Sequence, residues 1–342
     1  MSAATVAKQY GGQAVIEGVM MRGVQHFAVA ARRANGAIAL TCELVPKVLR
    51  PAWQKVPFLR GAFALVDAMA LGTKALFWAA KIAEADIPKP DDKAETRAAS
   101  EFVGPALGTA AASPEPAARS SRVTDVAIGG AMVMGLVFAL CLIVVLPNLA
   151  IEGAKALGLR ARWQLGLVDG ATRIGIFFGY IALISRMHHV RRVFQYHGAE
   201  HKVINALEAG GALSVETART QSRLHPRCGT SFVFIVLLLS TVAFAPFYGL
   251  PPYLRVPIHL VMTLPVAGVA FELLRLAGRY RSNPVMAALS RPGMWTQLLT
   301  TREPDDAQLE VALASLQAVL DAEENEGDAP SSSEQRQAAA VA

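Results

Sequence analysis

The sequence contains few cysteines, and none of them lies near another along the chain. Only three occur in 342 residues, namely Cys42, Cys141 and Cys228. An odd number of widely spaced thiols argues against a disulfide framework and is typical of a protein in a reducing compartment. The first 20 residues also lack a basic start followed by an apolar run, so we expect no secretory signal peptide.

Charged side chains are also scarce, and the balance among them is basic. They make up 18% of the chain, with 33 Lys and Arg against 27 Asp and Glu. No nucleic-acid-binding motif accompanies the net charge of +6, so we expect contact with the anionic lipids of a bilayer and no nucleic-acid partner. A membrane or cytoplasmic protein partner and the oligomeric state stay open.

Several long stretches carry no charge at all, and they predict a membrane protein. These stretches cover residues 126–146, 229–254 and 256–271. A fourth, weaker segment at 166–185 includes Asp169 and Arg173, an i,i+4 pair that can neutralise itself near the membrane interface. Because about 20 apolar residues cross about 30 Å of hydrocarbon as a helix, we predict four transmembrane helices within residues 123–281.

Positively charged residues are distributed unevenly among the connections. Lys and Arg are frequent in residues 1–122, in 186–228 and after position 275, but few lie in 147–165. By the positive-inside rule, both termini and the His-rich loop 187–229 are predicted to face the cytoplasm.

Residues 1–85 are predicted to form a small α+β cytoplasmic head beside the mainly α membrane part. Residues 27–31 and 37–41 are apolar runs on either side of Asn35-Gly36, a strong β-hairpin signal. Residues 58–83 have a helical pattern with a charge at every seventh position. These charges are Arg60, Asp67, Lys74 and Lys81. Such a helix lies in the membrane interface, packs against the spans or covers the hairpin, and the pattern does not decide between these positions.

A glycine-rich segment, residues 10–23, precedes the hairpin and carries charges in an otherwise apolar run. Glycines permit close backbone approach or positive φ, so the segment is either a compact buried turn or a binding loop. Glu17 and Arg22 need partners or a function, because isolated charges are costly in apolar surroundings. Both are therefore additional candidate site residues.

Two segments have the composition of disordered chain, and a helical segment precedes the second. Residues 86–122 are rich in Pro, Ala, Ser and charged residues, and residues 324–342 are polar and rich in Ala. Residues 282–323 are predicted to be a cytoplasmic helical segment, because leucines recur at helical spacing behind an N-cap at Asp305 or Asp306. These leucines are Leu309, Leu313, Leu316 and Leu320.

Potential metal ligands cluster in the cytoplasmic loop. A helix predicted at 195–208 carries His197 and His201 on one face, with Glu200 beside the second histidine. In this H-x-x-E-H order, two imidazoles bind a metal ion and the carboxylate acts on a water molecule as a general base. Glu208 lies on the same stripe of the helix and is an additional candidate ligand.

A second pair of candidate ligands, His225 and Cys228, precedes the third predicted span. An i,i+3 His/Cys pair can chelate an ion that other ligands also hold. The four residues His197, His201, His225 and Cys228 together would form a closed structural zinc site. A site without His225 or without Cys228 would have three ligands and an open, catalytic position. Without a metal, the histidines would hydrogen-bond to lipid phosphate or carboxylates, and Cys228 would be a packed apolar residue.

Four stretches of this sequence resemble signatures of the bacterial YqhQ-like family of membrane proteins. They are YGGQAVIEGVMMRG at 10–23, FQYHGAEHK at 194–202, HPRCGTSF at 225–232 and LLTTREPDD at 298–306. The resemblance covers nearly the whole chain apart from residues 86–122 and the tail. Because the family is labelled a predicted metal-dependent enzyme, the resemblance implies a multi-pass protein of the bacterial cytoplasmic membrane with a metal-dependent activity.

Two functions fit these features. The first is a metal-dependent hydrolase at the cytoplasmic membrane surface, in which the His and Cys ligands hold a divalent metal, zinc by ligand type, and Glu200 is the general base. The second is a non-catalytic accessory or scaffold protein, in which the His/Glu/Cys cluster ties the basic loop to the head. The sequence names neither a substrate nor a partner protein.

Overall fold

The computed structural model of the chain describes residues 10–46, 56, 58–86, 130, 133–135, 137–280 and 283–328. Within these ranges the protein is mainly helical, with one small antiparallel sheet near the N-terminus. The expected fold class is therefore confirmed. Residues 87–122 of the predicted linker and residues 329–342 of the predicted tail lie outside the described ranges.

The sheet is a four-stranded antiparallel meander. Its strands are β1 (Gly11–Val15), β2 (Gly18–Arg22), β3 (His26–Arg32) and β4 (Ile38–Leu44). The predicted hairpin is β3–β4, and its turn contains Gly36 at a φ of 85°, a conformation that suits glycine. The glycine-rich segment forms the second hairpin, β1–β2, which turns at Glu17.

Nine helices follow the sheet within the described residues. They are α1 (Leu59–Ala85), α2 (Val133–Ala156), α3 (Arg162–Ile184), α4 (His188–Glu208), α5 (Val215–Thr220), α6 (Gly229–Ala243), α7 (Pro252–Arg279), α8 (Pro284–Thr300) and α9 (Asp306–Asp328). A π-helical stretch, Cys141–Val145, lies within α2. Helix α9 ends at Asp328, so the first residues of the predicted disordered tail, 324–328, are helical.

Helix α1 covers one face of the sheet. Leu71, Ala75 and Ala79 pack against apolar strand side chains, so that both surfaces are removed from water. These strand side chains are Val15, Met20, Phe27 and Val29, with Val45 just after β4. Burial of this interface stabilises the helix, because it removes from water apolar side chains that lie between the charges at every seventh position.

The charges of α1 form ion pairs around the same contact. Asp67 pairs with Arg22 of β2, and Lys74 pairs with Glu43 of β4. At the beginning of the helix, Arg60 Nε donates to Glu272 Oε1 of α7 at 2.6 Å. Helix α1 thus covers the sheet and also packs against an apolar helix, which are two of the three positions that the sequence left open.

Helices α4 and α9 cover the opposite face of the sheet. Side chains alternate along a strand, so Val19, Met21, Ala28 and Ala30 point away from α1. They share a core with Tyr196 and Val203 of α4 and with Leu309 and Leu316 of α9. The head therefore combines the N-terminal sheet, α1, the His-rich helix and the C-terminal helix.

Among the described residues, four helical segments are long and apolar enough to cross a membrane, which matches the expected number. They are Phe63–Ala85, Val133–Ala156, Arg162–Ile184 and Pro252–Ala277. Three of these segments overlap predicted spans. The fourth, Phe63–Ala85, was not predicted as a span, and the predicted span at residues 229–254 is not one helix. Helix α6 ends at Ala243, and a 3₁₀ turn at Ala245–Phe247 separates it from α7. Prolines at 246, 251 and 252 account for the break, since each lacks the N–H that a continuous helix needs.

Buried polar side chains join the apolar helices at the end of α2 and the beginning of α3 and α7. We call these side chains, together with the partly exposed Glu152, the interhelical polar cluster: Asn148, Glu152, Asp169, Arg173, Tyr248 and Arg255. The predicted pair of Asp169 and Arg173 is confirmed at 2.8 Å, and the Tyr248 hydroxyl donates to the same Asp169 oxygen at 2.9 Å. Arg255 is fully buried and donates to Asn148 Oδ1 at 2.6 Å and to Glu152 Oε1 at 2.9 Å.

Glu323 fastens α9 to the sheet. Its buried carboxylate accepts the N–H groups of Val24 and Gln25 in the β2–β3 turn, the latter at 2.9 Å. The Tyr10 hydroxyl donates to the other oxygen at 3.4 Å. Burial, together with the Glu323 charge, raises the pKa of Tyr10 to about 12, so the phenol remains a donor.

We expect Glu323→Ala to lower the free energy of unfolding by about 2 kcal/mol, because two backbone N–H groups lose a charged acceptor. Hydrogen exchange of the Val24 and Gln25 amides, followed by mass spectrometry on the full chain, should accelerate. Glu324→Ala is the matched control, since the neighbouring Glu324 side chain is exposed. Unchanged exchange at both amides in Glu323→Ala would show that this carboxylate does not hold the turn.

Candidate metal centre

Helix α4 carries the histidines of the predicted site. It ends at Glu208, as the sequence predicts, and Gly210 adopts a φ of 71° just beyond it. The helix begins at His188, seven residues before the predicted start. One face of the helix is buried against the sheet and α9. The His197 side chain lies on another face, which contacts the beginning of α6.

Gly198 brings α4 close to the segment that follows α8. A Cβ atom at this position would overlap the carbonyl oxygen of Arg302. The Arg302 N–H donates to the Phe194 carbonyl at 2.8 Å, so the two segments are also hydrogen-bonded. Glycine permits this approach, and the approach places His197 Nδ1 2.8 Å from the carbonyl oxygen of Thr300.

His197, His201 and Cys228 form a compact group of potential metal ligands. One ligand atom from each lies within 4.8 Å of the other two. Cys228 Sγ is 3.3 Å from His197 Nε2, and the two imidazole centroids are 4.4 Å apart. The i,i+4 spacing places both histidines on one face of α4, while Cys228 comes from the turn that starts α6. Two nitrogen donors and one sulfur donor fit Zn²⁺, which accepts both kinds.

Both histidines are oriented by backbone carbonyl groups. His197 Nδ1 faces Thr300 O, and His201 Nδ1 lies 2.7 Å from Arg223 O. A carbonyl only accepts hydrogen bonds, so each Nδ1 carries the proton and each Nε2 offers its lone pair to the group. Burial lowers the pKa of His201, which keeps this imidazole neutral, as a metal ligand must be.

Glu200 lies beside this group and is buried, with 5% of its surface exposed. Its Oε2 atom is 3.6 Å from His201 Nε2. Burial raises the pKa of the Glu200 carboxyl, and the nearby His197 and His225 and an N–H from Gly12 of β1 oppose that rise. A carboxylate in this position can exchange a proton with a molecule held next to the histidines.

His225 and Glu208 lie next to the group and interact with each other. His225 Nε2 is 3.5 Å from Glu208 Oε2, and Glu208 also pairs with Arg227. The ring centroids of His225 and His201 are 5.8 Å apart. Of the ligand sets that the sequence left open, the described residues thus bring together the three-ligand set of two histidines and Cys228, without His225 or Glu208.

The two charges of the glycine-rich segment form ion pairs at other places in the head. Glu17 accepts from Arg192 Nε at 2.6 Å and from the Tyr196 hydroxyl at 3.4 Å, which joins the β1–β2 turn to α4. Arg22 pairs with Asp67 and joins β2 to α1. Both side chains are only partly buried, and both charges have partners.

Sequence reasoning did not identify the residues that hold the histidines and His225 in place. The Thr300 and Arg223 carbonyls orient the imidazoles, and the buried Gln297 side chain accepts the His225 N–H at 2.8 Å. Every residue has a backbone carbonyl, so the residue type does not show which carbonyls accept these hydrogen bonds. The stretch 298–306, one of the four that resemble the YqhQ-like family, was the available signal for this contact.

Comparison with known proteins finds a matching family and a similar bacterial protein. Residues 56–322 match the family described as "Protein of unknown function (DUF1385)". The chain is 33% identical over 323 residues to the "Uncharacterized protein YqhQ" of Bacillus subtilis (strain 168), with 94% of this chain and 95% of that protein covered. No solved structure matches the chain.

We expect Gly12→Ala to displace Glu200, because a Cβ atom at Gly12 would lie 2.7 Å from both Glu200 Cγ and the Met20 carbonyl oxygen. Overpacking of this kind costs about 1–3 kcal/mol, so the thermal unfolding midpoint of the full chain should fall. Gly11→Ala is the matched control, since no heavy atom lies within 4 Å of a Cβ there. Equal midpoints for the two variants would contradict the close packing of β1 on Glu200.

Proposed function

This chain belongs to the family of proteins of unknown function DUF1385, and we propose that it is a metal-dependent hydrolase at the surface of a membrane. The observation that carries the proposal is the convergence of His197, His201 and Cys228, with both Nδ1 atoms engaged by carbonyls. The arrangement presents three ligand atoms to one ion. The two imidazoles need not lose a proton before they bind it, because their protons are on Nδ1 and their Nε2 atoms are free of protons.

The ligand set supports zinc in a catalytic rather than a closed environment. Catalytic zinc sites use three protein ligands and keep a further position for water or substrate, whereas structural sites use four. A zinc ion at this position would supply Lewis-acid activation of water. His197, His201 and Cys228 would hold the ion, and the Thr300 and Arg223 carbonyls would fix the two rings as outer partners.

Glu200 would be the general base. Its carboxylate stands on the same side of His201 as the ligand atom Nε2, and the Gly12 N–H holds it there. From this position it accepts a proton from an attacking water and can return it to the leaving group. The apolar head core around α4 limits access of bulk water to this carboxylate.

The site would lie at the cytoplasmic face of the bacterial inner membrane. Helix α3 ends at Ile184, four residues before α4 begins, and Cys228 directly precedes α6. The ligands are thus attached to the ends of apolar helices. The basic loop 187–229 favours the cytoplasmic side. Helices α2 and α3 would form one membrane hairpin, and α7 would pair with the 15-residue α6 and the 3₁₀ turn after it. Helix α1 is also long and apolar enough to span, but it covers the sheet and would lie along the head.

A non-catalytic scaffold is the second candidate, and the burial of the site favours it. His201 has 2% of its surface exposed and His225 has 4%. In this alternative the ion, or the hydrogen-bonded cluster alone, ties the beginning of α6 to α4 so that the head presents a fixed surface to a membrane or cytoplasmic partner.

We expect the purified full chain to contain about one zinc ion per molecule, the stoichiometry of a single three-ligand site. Elemental analysis should show a loss of most of this metal in His201→Ala and in Cys228→Ser. Controls are His189→Ala and Cys42→Ser, since both side chains are exposed. Equal and negligible metal in the wild type and all variants would end the metal proposal.

Glu200→Gln separates the two candidate functions. If Glu200 is the base, hydrolysis of chromogenic ester and amide probes by the detergent-solubilised protein should fall by about 10²- to 10⁴-fold. Metal content and unfolding temperature should stay at or above the wild-type values, because the amide is easier to bury than the charge. Glu324→Gln, at an exposed position, is the control. Hydrolysis by Glu200→Gln equal to that of the wild type, together with a lower unfolding temperature of His201→Ala, would favour the scaffold.

A further inference from the structure

A second polar site lies on the other side of the head, between the sheet and the end of α7. It is a cleft of about 560 Å³. Its lining comprises Arg22, Gly23, Val24, Val45, Pro46, Arg60, Ala64, Asp67, Phe271 and Arg275. None of these residues belongs to the candidate metal centre, so the cleft needs its own explanation.

Three arginines from three different elements converge on this cleft. Arg22 comes from β2, Arg60 from the first turn of α1 and Arg275 from the last turns of α7. Asp67 is the acidic residue of the lining, and Glu272 pairs with Arg60 beside it, so three arginines face two carboxylates and the formal excess is +1. A cleft with this excess favours an anion, and arginine forks match the oxygens of phosphate better than a lysine does.

Two of the arginines are already fixed in orientation. Arg22 pairs with Asp67, and Arg60 Nε donates to Glu272 Oε1 at 2.6 Å. Both keep part of their surface open, since the Arg22 side chain is 31% exposed and that of Arg60 is 25% exposed. Arg275 is exposed at the rim and interacts electrostatically with Glu272 of the same helix, whose hydrogen-bonded ion pair is with Arg60. The arrangement is pre-organised on two sides, and Arg275 is the most exposed of its three arginines.

The position of the cleft indicates the source of the anion. Phe271 and Arg275 lie in the last turns of the candidate span Pro252–Ala277, where the apolar helix reaches the membrane surface. The opposite end of α7 joins the interhelical polar cluster. A phospholipid presents its phosphate at this depth, with its acyl chains toward the apolar surface of the helices.

We propose that the cleft binds the phosphodiester group of a phospholipid headgroup, with Arg275, Arg60 and Arg22 as the phosphate ligands. The apolar side chains Val24, Val45 and Phe271 flank the glycerol side of the headgroup. The site would anchor the head against the membrane in a fixed orientation. This inference does not depend on the metal-dependent activity.

The test is a binding titration of the full chain in a non-ionic detergent with phosphatidylglycerol that carries a fluorophore on its acyl chain. We expect Arg275→Gln to weaken binding about tenfold, the loss of one charge-assisted contact, and Arg275→Lys to weaken it less. Arg219→Gln is the matched control, because Arg219 is an exposed arginine elsewhere on the head that pairs with Asp306. Zinc content should be the same in all variants, so a failure here would leave the metal proposal intact.

Competition identifies the bound group. Unlabelled phosphatidylglycerol should displace the probe, while dioleoylglycerol, which has the same tails and no phosphate, should not. Displacement by glycerophosphoglycerol, the headgroup without tails, would support the phosphate site and assign it to soluble phosphodiesters. Equal displacement by dioleoylglycerol, or wild-type affinity in Arg275→Gln, would overturn the proposal.

Discussion

The candidate site depends on how closely α4 lies against the segment after α8. Gly198 permits this approach, and the bond from the Arg302 N–H to the Phe194 carbonyl maintains it. The carbonyl of Thr300 is thereby available to His197, and the ring turns its Nε2 toward Cys228. Backbone contacts therefore position the two histidines, and Cys228 completes the group of potential ligands.

The sheet is the second constraint, because it is buried on both faces. Helix α1 covers one face, and α4 and α9 cover the other. The Gly12 N–H reaches Glu200 from β1, and Glu17 reaches Arg192 from the following turn. The N-terminal hairpin is thus a part of the site's support, although it is nearly 190 residues away in sequence.

Local patterns predicted the local structure well. The Asn35-Gly36 hairpin, the helix at 58–83 and the end of α4 follow from turn signals and periodicity, and the structure confirms them. The i,i+4 spacing also placed His197 and His201 on one face. Tertiary contacts could not be predicted in the same way. Gln297 binds the backbone of His225, and Glu208 contacts its ring, and no local pattern indicates either contact. The break after Ala243 interrupts an apolar run whose composition is that of one span.

The interhelical polar cluster has a consequence for biogenesis. Arg255 has no exposure to solvent because Asn148 and Glu152 of α2 enclose its guanidinium. An arginine at the start of α7 would face a large desolvation cost if α7 entered the bilayer alone. Helix α2 leaves the ribosome about a hundred residues earlier, so its acceptors are in place when Arg255 arrives. In a membrane, insertion in chain order would therefore provide Arg255 of α7 with the acceptors on α2 that offset its desolvation.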